Sequence, residues 1–358
     1  MKKISIIILL MIGLSLLLLT GCIVNTIIPE IASENLENQE NIEKPEIENT
    51  EEPVIENLEG SVKWSGLGMM VFPTYSTSKF DSYVDTLLAN EFTELRMSSD
   101  WQNWGADTVL ISAVISAITK GAKVIWVVQS GSVTLTSSNW DDYADAILAA
   151  AQWAQDNGVF EFQLGNEEEM HNDDTTLTDV QLRINLKFLA TDVQEIFTNG
   201  NISYSCSQNS VDSWIAIGKG DIDILASNIY MGGEGSYGNS WKTAITNLVN
   251  VFGADGTYLT EFGPSWSSLD DYSTDEAVQA TAVTEMIEHI KASGMTRALY
   301  FCYTNPGWLS GFEVLKTDGT YRLLWNQALL NSGSVKSITV PVKTTTISLA
   351  NTIALLAK

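Results

Sequence analysis

From Gly66 to Tyr303 the chain alternates two hydrophobic patterns. Short apolar-rich runs read as strands: Gly66–Phe72, Thr93–Met97, Lys123–Val128, Glu161–Leu164, Ile202–Ser205, Ile222–Tyr230, Tyr258–Glu261 and Ala298–Tyr303. Between them, apolar residues recur at helical spacing. Leu182, Leu186, Leu189, Val193 and Ile196 fall on one helical face. Ser273 and Glu276 have the spacing of a capping box ahead of Val278, Val283, Ile287 and Ile290, and Gly294 follows the end. Eight strand–helix units within 61–333 predict a (β/α)8 TIM barrel. The competing architecture, a doubly wound open sheet, ordinarily carries a glycine-rich phosphate turn after its first strand. Here that position reads Val71-Phe72-Pro73-Thr74.

The flanks follow other rules. Lys2 and Lys3 precede an apolar run, Ile4 to Leu19, and then Leu19-Thr20-Gly21-Cys22. Small residues before a Cys at the end of such a run resemble a bacterial lipobox. Residues 1–21 are therefore expected to be a lipoprotein signal and Cys22 the lipidated residue. A transmembrane helix is the competing reading, but the run is short and no basic cluster follows it. Residues 23–60 hold eleven Glu, one Lys, three Pro and no aromatic residue. That composition cannot bury enough surface to offset chain entropy, so 22–60 is expected to be an acidic disordered linker. The expected location is the cell envelope or cell surface, with the membrane reached through the lipid. The tail, 334–358, alternates apolar and polar residues at strand period and contains no acid; its role is open.

Charge and composition narrow the chemistry. The 358 residues carry a net charge of −25, of which −17 remains on residues 61–358. So acidic a chain is a poor partner for nucleic acid. Two His and three Cys leave little for a metal cage or a disulfide framework, and Cys206 and Cys302 are expected as buried thiols. No HExxH or P-loop pattern occurs, and neither His lies in a nucleophile-elbow context. A metal-dependent hydrolase is thus disfavoured, no metal or cofactor is expected, and the protein is expected to act as a monomer.

In a barrel of this kind, chemistry sits on the loops after the strands. Arg96 lies in the second strand, Gln129 ends the third, Gly165-Asn166-Glu167 the fourth, Asn228 and Tyr230 the sixth, and Glu261 the seventh. Strands four and seven face each other across the mouth, so Glu167 and Glu261 are expected to converge. Two carboxylates flanking a scissile bond are what glycoside hydrolysis needs. A bland reading competes: Glu167-Glu168-Glu169 as a solvated acidic loop. His171, Asp173 and Asp174 suggest a metal site but lack calcium-loop spacing, and His171 is also a candidate sugar contact. His289 beside Glu288 and Lys291 reads as solvated. Seven Trp follow strands (101, 104, 140, 214, 241, 266 and 308), and Trp101, Trp266 and Trp308 are the first candidates for stacking on sugar rings. Trp64, Trp126, Trp153 and Trp325 read as core.

Phe162-Gln163-Leu164-Gly165-Asn166-Glu167 and Tyr258-Leu259-Thr260-Glu261-Phe262-Gly263 resemble strands four and seven of the clan A glycoside hydrolases, the retaining 4/7 barrels. Glu94-Leu95-Arg96-Met97-Ser98 resembles their strand-two Arg segment, Asp221 to Tyr230 their strand six, and Gly311-Phe312-Glu313-Val314-Leu315 with Asp318-Gly319 their closing loop. The resemblance covers 61–333. It implies Glu167 as acid/base, Glu261 as nucleophile, Asn166 on the sugar 2-hydroxyl, Arg96 beneath the nucleophile, Tyr230 bonded to it, and a β-linked glycan as substrate. The sequence departs from the family late in strand eight, where many members carry Trp and this chain reads Leu299-Tyr300-Phe301-Cys302-Tyr303. Trp308 or Tyr303 is the expected replacement. Moderate loops after strands four and eight suit an open groove. A barrel that binds glycan without cleaving it is the alternative function.

Overall fold

The computed structural model describes residues 64–72, 77–170, 176–231, 240–264, 275–304 and 311–332. All belong to one unit, Gly60–Lys358. The signal, Cys22, the acidic linker and the tail from 334 lie outside the described residues, as do His171, Trp266 and Trp308. Among the described residues no helix is long and apolar enough to cross a membrane.

The strands are β1 Gly66–Met70, β2 Glu94–Asp100, β3 Lys123–Gln129, β4 Glu161–Asn166, β5 Asn201–Ser207, β6 Ile224–Met231, β7 Leu259–Pro264 and β8 Arg297–Tyr300. They close in sequence order, β1 through β8 and back to β1, and every pair is parallel. The helices are α1 Thr77–Ala89, α2 Thr108–Thr119, α3 Trp140–Asp156, α4 Asp179–Gln194, α5 Val211–Ile217, α6 Ser240–Phe252, α7 Glu276–Ala292 and α8 Leu324–Asn331. One helix follows each strand, which is the (β/α)8 barrel expected from the alternation. All eight predicted strands are present with shifted ends. β2, β4 and β5 run further toward the mouth than hydrophobicity indicates, because their last residues are polar.

The strands read as continuous apolar runs because both faces are covered. Val124 to Val128 in β3 are all fully buried. In α4, Leu182, Leu186, Leu189 and Val193 face the core as their spacing predicts. The helix starts on a capping box between Thr178 and Gln181. The sequence suggests a capping box between Ser273 and Glu276. Ser273 lies outside the described residues, and Asp275 caps α7 by accepting from the amides of Ala277 and Val278. Glu276 instead accepts from Lys316 Nζ at 2.9 Å and the Leu323 amide at 3.0 Å, tying α7 to the loop ahead of α8. His289 is half-buried rather than free in solvent: its ring packs on Trp241 at 5.3 Å and its Nε2 meets the Lys242 carbonyl at 3.1 Å. Cys206 and Cys302 are buried free thiols as expected, although Cys302 lies just beyond β8.

The N-terminal end of the barrel is closed by a polar cluster. Arg297 opens β8 and pairs with Glu94 at 3.1 Å and with Glu161, the first residues of β2 and β4. Tyr258 donates to Glu161 at 2.5 Å, and the Arg297 guanidinium lies 3.8 Å over the Tyr258 ring. Removing one member of such a buried cluster leaves the others uncompensated. Glu161→Ala should therefore lower unfolding free energy by about 3–5 kcal/mol in urea titration, with an unchanged native far-UV spectrum. A loss of less than about 1 kcal/mol, the size of a surface pair, would contradict this account.

Candidate active site

At the opposite end the strands deliver a second polar cluster, built on Arg96. β2 presents this fully buried side chain into the barrel. Its three nitrogens bond to β4 and β7, and one of them also meets the Met70 sulfur of β1 at 3.6 Å. Nε donates to Gln163 at 3.0 Å, one terminal nitrogen to Glu261 at 2.6 Å, and the other to Asn166 at 2.7 Å. Tyr230, from β6, donates to the second Glu261 oxygen at 2.6 Å. Both oxygens of the Glu261 carboxylate are thus engaged, and its direction is fixed.

Asn228 sets the neighbouring amides. Its carbonyl oxygen accepts from the hydroxyls of Ser205 at 3.0 Å and Thr260 at 2.8 Å. Its nitrogen therefore faces outward, donating to the Asn166 carbonyl oxygen at 3.1 Å and hydrogen bonding Glu167. Asn166 accepts from both Arg96 and Asn228, and no described residue accepts from its own amide nitrogen. Glu167 follows at the tip of β4 with φ of 56°, a left-handed conformation that costs a non-glycine residue free energy. Its amide donates to the Ser205 carbonyl at 2.8 Å. The strain turns this one side chain into the mouth.

Arg96, Asn166, Glu167 and Glu261 line one cavity of about 210 Å³, together with Met70, Phe72, Ser98, Gln129, Gly131 and Phe301. The cavity contains a charged pair and a carboxyl held against charge. Burial, then the Glu261 charge, then the Glu169 charge push the Glu167 carboxyl up to about 8, against smaller opposing effects of Asn228 and Arg96.

The acidic run is not a solvated loop. Glu168 and Glu169 are 1% and 7% exposed. Glu168 accepts from the amides of Ser130 at 3.0 Å and Asn166 at 3.1 Å, and Tyr143 lies 3.3 Å away. Glu169 accepts from the Ser207 amide at 2.9 Å and from the Tyr204 hydroxyl. The turn after β4 is thereby fastened to the ends of β3 and β5. Gly165 is required there: a Cβ would come within 2.6 Å of the Glu168 carboxylate. Burial pushes Glu168 up to about 7. In the sequence, the signal for this arrangement was the glycine before three acids.

Of the seven predicted rim tryptophans five are described, and three of these, Trp101, Trp214 and Trp241, are buried. Trp101 is 9% exposed and packs edge-on against Tyr143 at 6.0 Å, so it supports the wall rather than offering an open face. Trp214 and Trp241 are buried, and Trp104 and Trp140 pack on Trp153 and Tyr143. Trp126 and Trp325 are buried as expected. Tyr303 does not stand in for the late strand-eight Trp: it is 1% exposed and packs against Tyr83 and Trp325. Phe301, just past the end of β8, lines the cavity together with Phe72, the two rings packed edge-on at 5.8 Å. Its role was missed because it stands in an aromatic run with no periodic signal. Among the described residues no cluster of His, Cys, Asp and Glu could hold a metal ion.

These carboxyls make stability depend on pH. The native value of about 8 for Glu167 exceeds the ordinary 4.5, so the folded state binds more protons across that interval. Stability contributed by the protonated carboxyl is complete below the lower value and is lost as pH rises through the upper one. Glu168, at about 7, acts in the same direction. Urea midpoints should therefore fall from pH 5 to 8.5, and Glu167→Gln should flatten the part of the slope above pH 7. An unchanged slope in that variant would contradict the assignment.

No protein-family model matches the chain, and no curated protein does. Solved structures do. An exo-β-1,4-mannosidase from Opitutaceae bacterium strain TAV5 superposes with a TM-score of 0.60 at 13% identity, covering 76% of this chain and 61% of that one. A β-glucuronidase from Bacteroides uniformis gives 0.58 at 9% identity over 74% of this chain and 35% of its own. An endocellulase from Pyrococcus horikoshii gives 0.55 at 12% identity over 75% of this chain and 93% of its own. The chain thus spans 61% and 35% of the first two, and most of the third. What it shares with these β-glycosidases is the (β/α)8 fold.

Proposed function

We propose that this protein is a retaining glycoside hydrolase acting on β-linked glycans, with Glu167 as acid/base and Glu261 as nucleophile. One observation carries the reading: a carboxylate held at both oxygens by Arg96 and Tyr230 shares a cavity with a carboxyl pushed up to about 8. The first suits attack on an anomeric carbon and the second suits donation to a leaving oxygen. In the first step Glu261 forms an ester bond to the anomeric carbon while the glycosidic C–O bond breaks and its oxygen takes the Glu167 proton. That step neutralises Glu261 and removes one of the charges holding Glu167 up. Glu167, now a carboxylate, takes a proton from water as the water oxygen displaces Glu261. Asn166 supports the transition state through its amide nitrogen, from which no described residue accepts, in the 2-hydroxyl contact that the resemblance implies. Asn228 keeps Asn166 and Glu167 aligned, and Phe301 gives the sugar an apolar face.

The same reading points to an uncharged sugar at the reacting position. Among the described residues Arg96 is the one cation lining the cavity, and it is committed to Glu261. The intervening segments 73–76, 171–175, 232–239, 265–274 and 305–310 contain no Lys or Arg. Lys316 and Arg322, in the last loop, pair with Glu276 and Glu313. The leader resembling a lipobox supports export, with the barrel tethered through Cys22 on an acidic spacer.

The test is a panel of aryl β-glycosides and β-linked polysaccharides. Neutral β-glycosides should be cleaved and an aryl β-glucuronide should not. Glu167→Ala should lose about 10²–10⁴-fold in kcat on glycans and less on substrates with activated leaving groups. Glu261→Ala should be inactive until azide is added. Full activity in both variants would contradict the reading, and glycan binding without turnover would favour a non-catalytic barrel.

A further inference from the structure

The candidate cavity has two unlike walls. Toward β2 and β3 it is polar. Arg96 points into the barrel, and Ser98, two residues further along β2, shares its face. Gln129 lies in register with Asp100, so it falls on that same face of the sheet. Ser98 and Gln129 both line the cavity, and among the described residues neither side chain has a hydrogen-bond partner.

Toward β8 and β1 the wall is apolar. Met70, Phe301, Cys302 and Phe312 form a hydrophobic cluster separate from the main core, with Phe72 and Tyr230 packed against it. The Phe301 ring stands edge-on to Phe72 at 5.8 Å, to Phe312 at 5.6 Å and to Tyr230 at 6.2 Å, so three rings fix its place. Met70, Phe72 and Phe301 face the cavity from this cluster. The polar atoms within it are committed elsewhere. The Tyr230 hydroxyl donates to Glu261, the Cys302 thiol donates to the Thr304 carbonyl at 3.2 Å, and the Met70 sulfur meets Arg96. A hydroxyl pressed against this wall gives up water and gains no partner from it.

Strand order decides which edge of a sugar meets which wall. The step rests on the reading of Glu261 as nucleophile and of Asn166 at the 2-hydroxyl. With the anomeric carbon at Glu261 on β7 and C2 at Asn166 on β4, C3 continues toward β3, the neighbour of β4. The ring oxygen and C5 leave the anomeric carbon on the other side, toward β8, the neighbour of β7, and then β1. We propose that Phe72 and Phe301 form the specificity-determining wall of the site, facing C5 of the reacting sugar. They select a sugar whose C5 substituent is apolar or absent, a β-linked 6-deoxyhexose or pentose, met at its C3 edge by Gln129 and Ser98.

The test is a matched series of aryl β-glycosides in the gluco, galacto and manno configurations: each hexoside, its 6-deoxy analogue and the pentoside that lacks C6. The 6-deoxy substrate should exceed its hexoside about 10-fold in kcat/KM, and the pentoside should also lead the hexoside. Phe72→Asn sets a hydrogen-bonding group on the wall and should shrink the 6-deoxy preference about 3–10-fold. Phe72→Leu keeps the wall apolar and should retain it, and Phe72→Ser carries the expectation of Asn should the latter not fold. Intrinsic reactivity of a substrate is common to all variants, and damage to the fold lowers every substrate alike, so the ratio reports the wall. A hexoside favoured over both relatives, or a ratio unmoved in Phe72→Asn and Phe72→Ser, would overturn the proposal. Either result in an enzyme that turns over and depends on Glu261 refutes this proposal alone. No turnover of any substrate refutes the proposed function, and calorimetry with methyl β-xyloside and methyl β-glucoside then decides on the wall. Tighter binding of the xyloside supports it; equal or tighter binding of the glucoside, or binding of neither, overturns it.

Discussion

The contact on which the site depends is the buried ion pair between Arg96 and Glu261, 2.6 Å long and closed from solvent at the arginine. A lone carboxylate at the end of β7 would resist desolvation, and so would a lone guanidinium inside the barrel. Together they are tolerable only in good geometry, and the fork of Arg96 provides it by also bonding Gln163 and Asn166 on β4. One side chain therefore fixes the nucleophile candidate and the neighbour of the acid candidate. Strand order does the rest, because a closed parallel barrel aims the ends of β2, β4, β6 and β7 at one mouth.

The two carboxyls are chemically alike and are distinguished by surroundings. Glu261 has a cation and a phenol on its two oxygens. Glu167 is raised first by burial and then by the Glu261 and Glu169 charges, with the Asn228 amide as its main relief. Environment alone sets them apart: burial and nearby acids push Glu167 up to about 8, while Arg96 and Tyr230 occupy both oxygens of Glu261. The opposite end of the barrel uses similar residues without this asymmetry. There Arg297 is shared between Glu94 and Glu161, and the result is a plug.

Much of this was legible in the chain. Hydrophobic period gave eight strands and their order, and strand ends gave Arg96, Asn166, Glu167, Asn228, Tyr230 and Glu261. What was not legible depends on partners distant in sequence. Nothing local says that Glu168 folds back onto Ser130 or that Glu169 reaches Tyr204. Burial of Trp101, Trp214 and Trp241 is likewise set by tertiary packing: Trp214 and Trp241 lie on α5 and α6, and all three join the barrel's hydrophobic core. The α7 cap was misplaced because Ser273 and Asp275 both suit a cap, and Glu276 was claimed by Lys316 and Leu323. The excess of acid obscured the few acids that matter, since net charge carries no position.

The central claim is that Glu261 forms a covalent bond to the sugar. Incubation with a 2-deoxy-2-fluoro-β-glycosyl fluoride of an accepted sugar, followed by peptide mass mapping, tests it directly. The account predicts one added glycosyl group, carried by the peptide containing Thr260-Glu261-Phe262 and absent in Glu261→Gln. A label on another residue, or turnover with inverted product and no label, would contradict it.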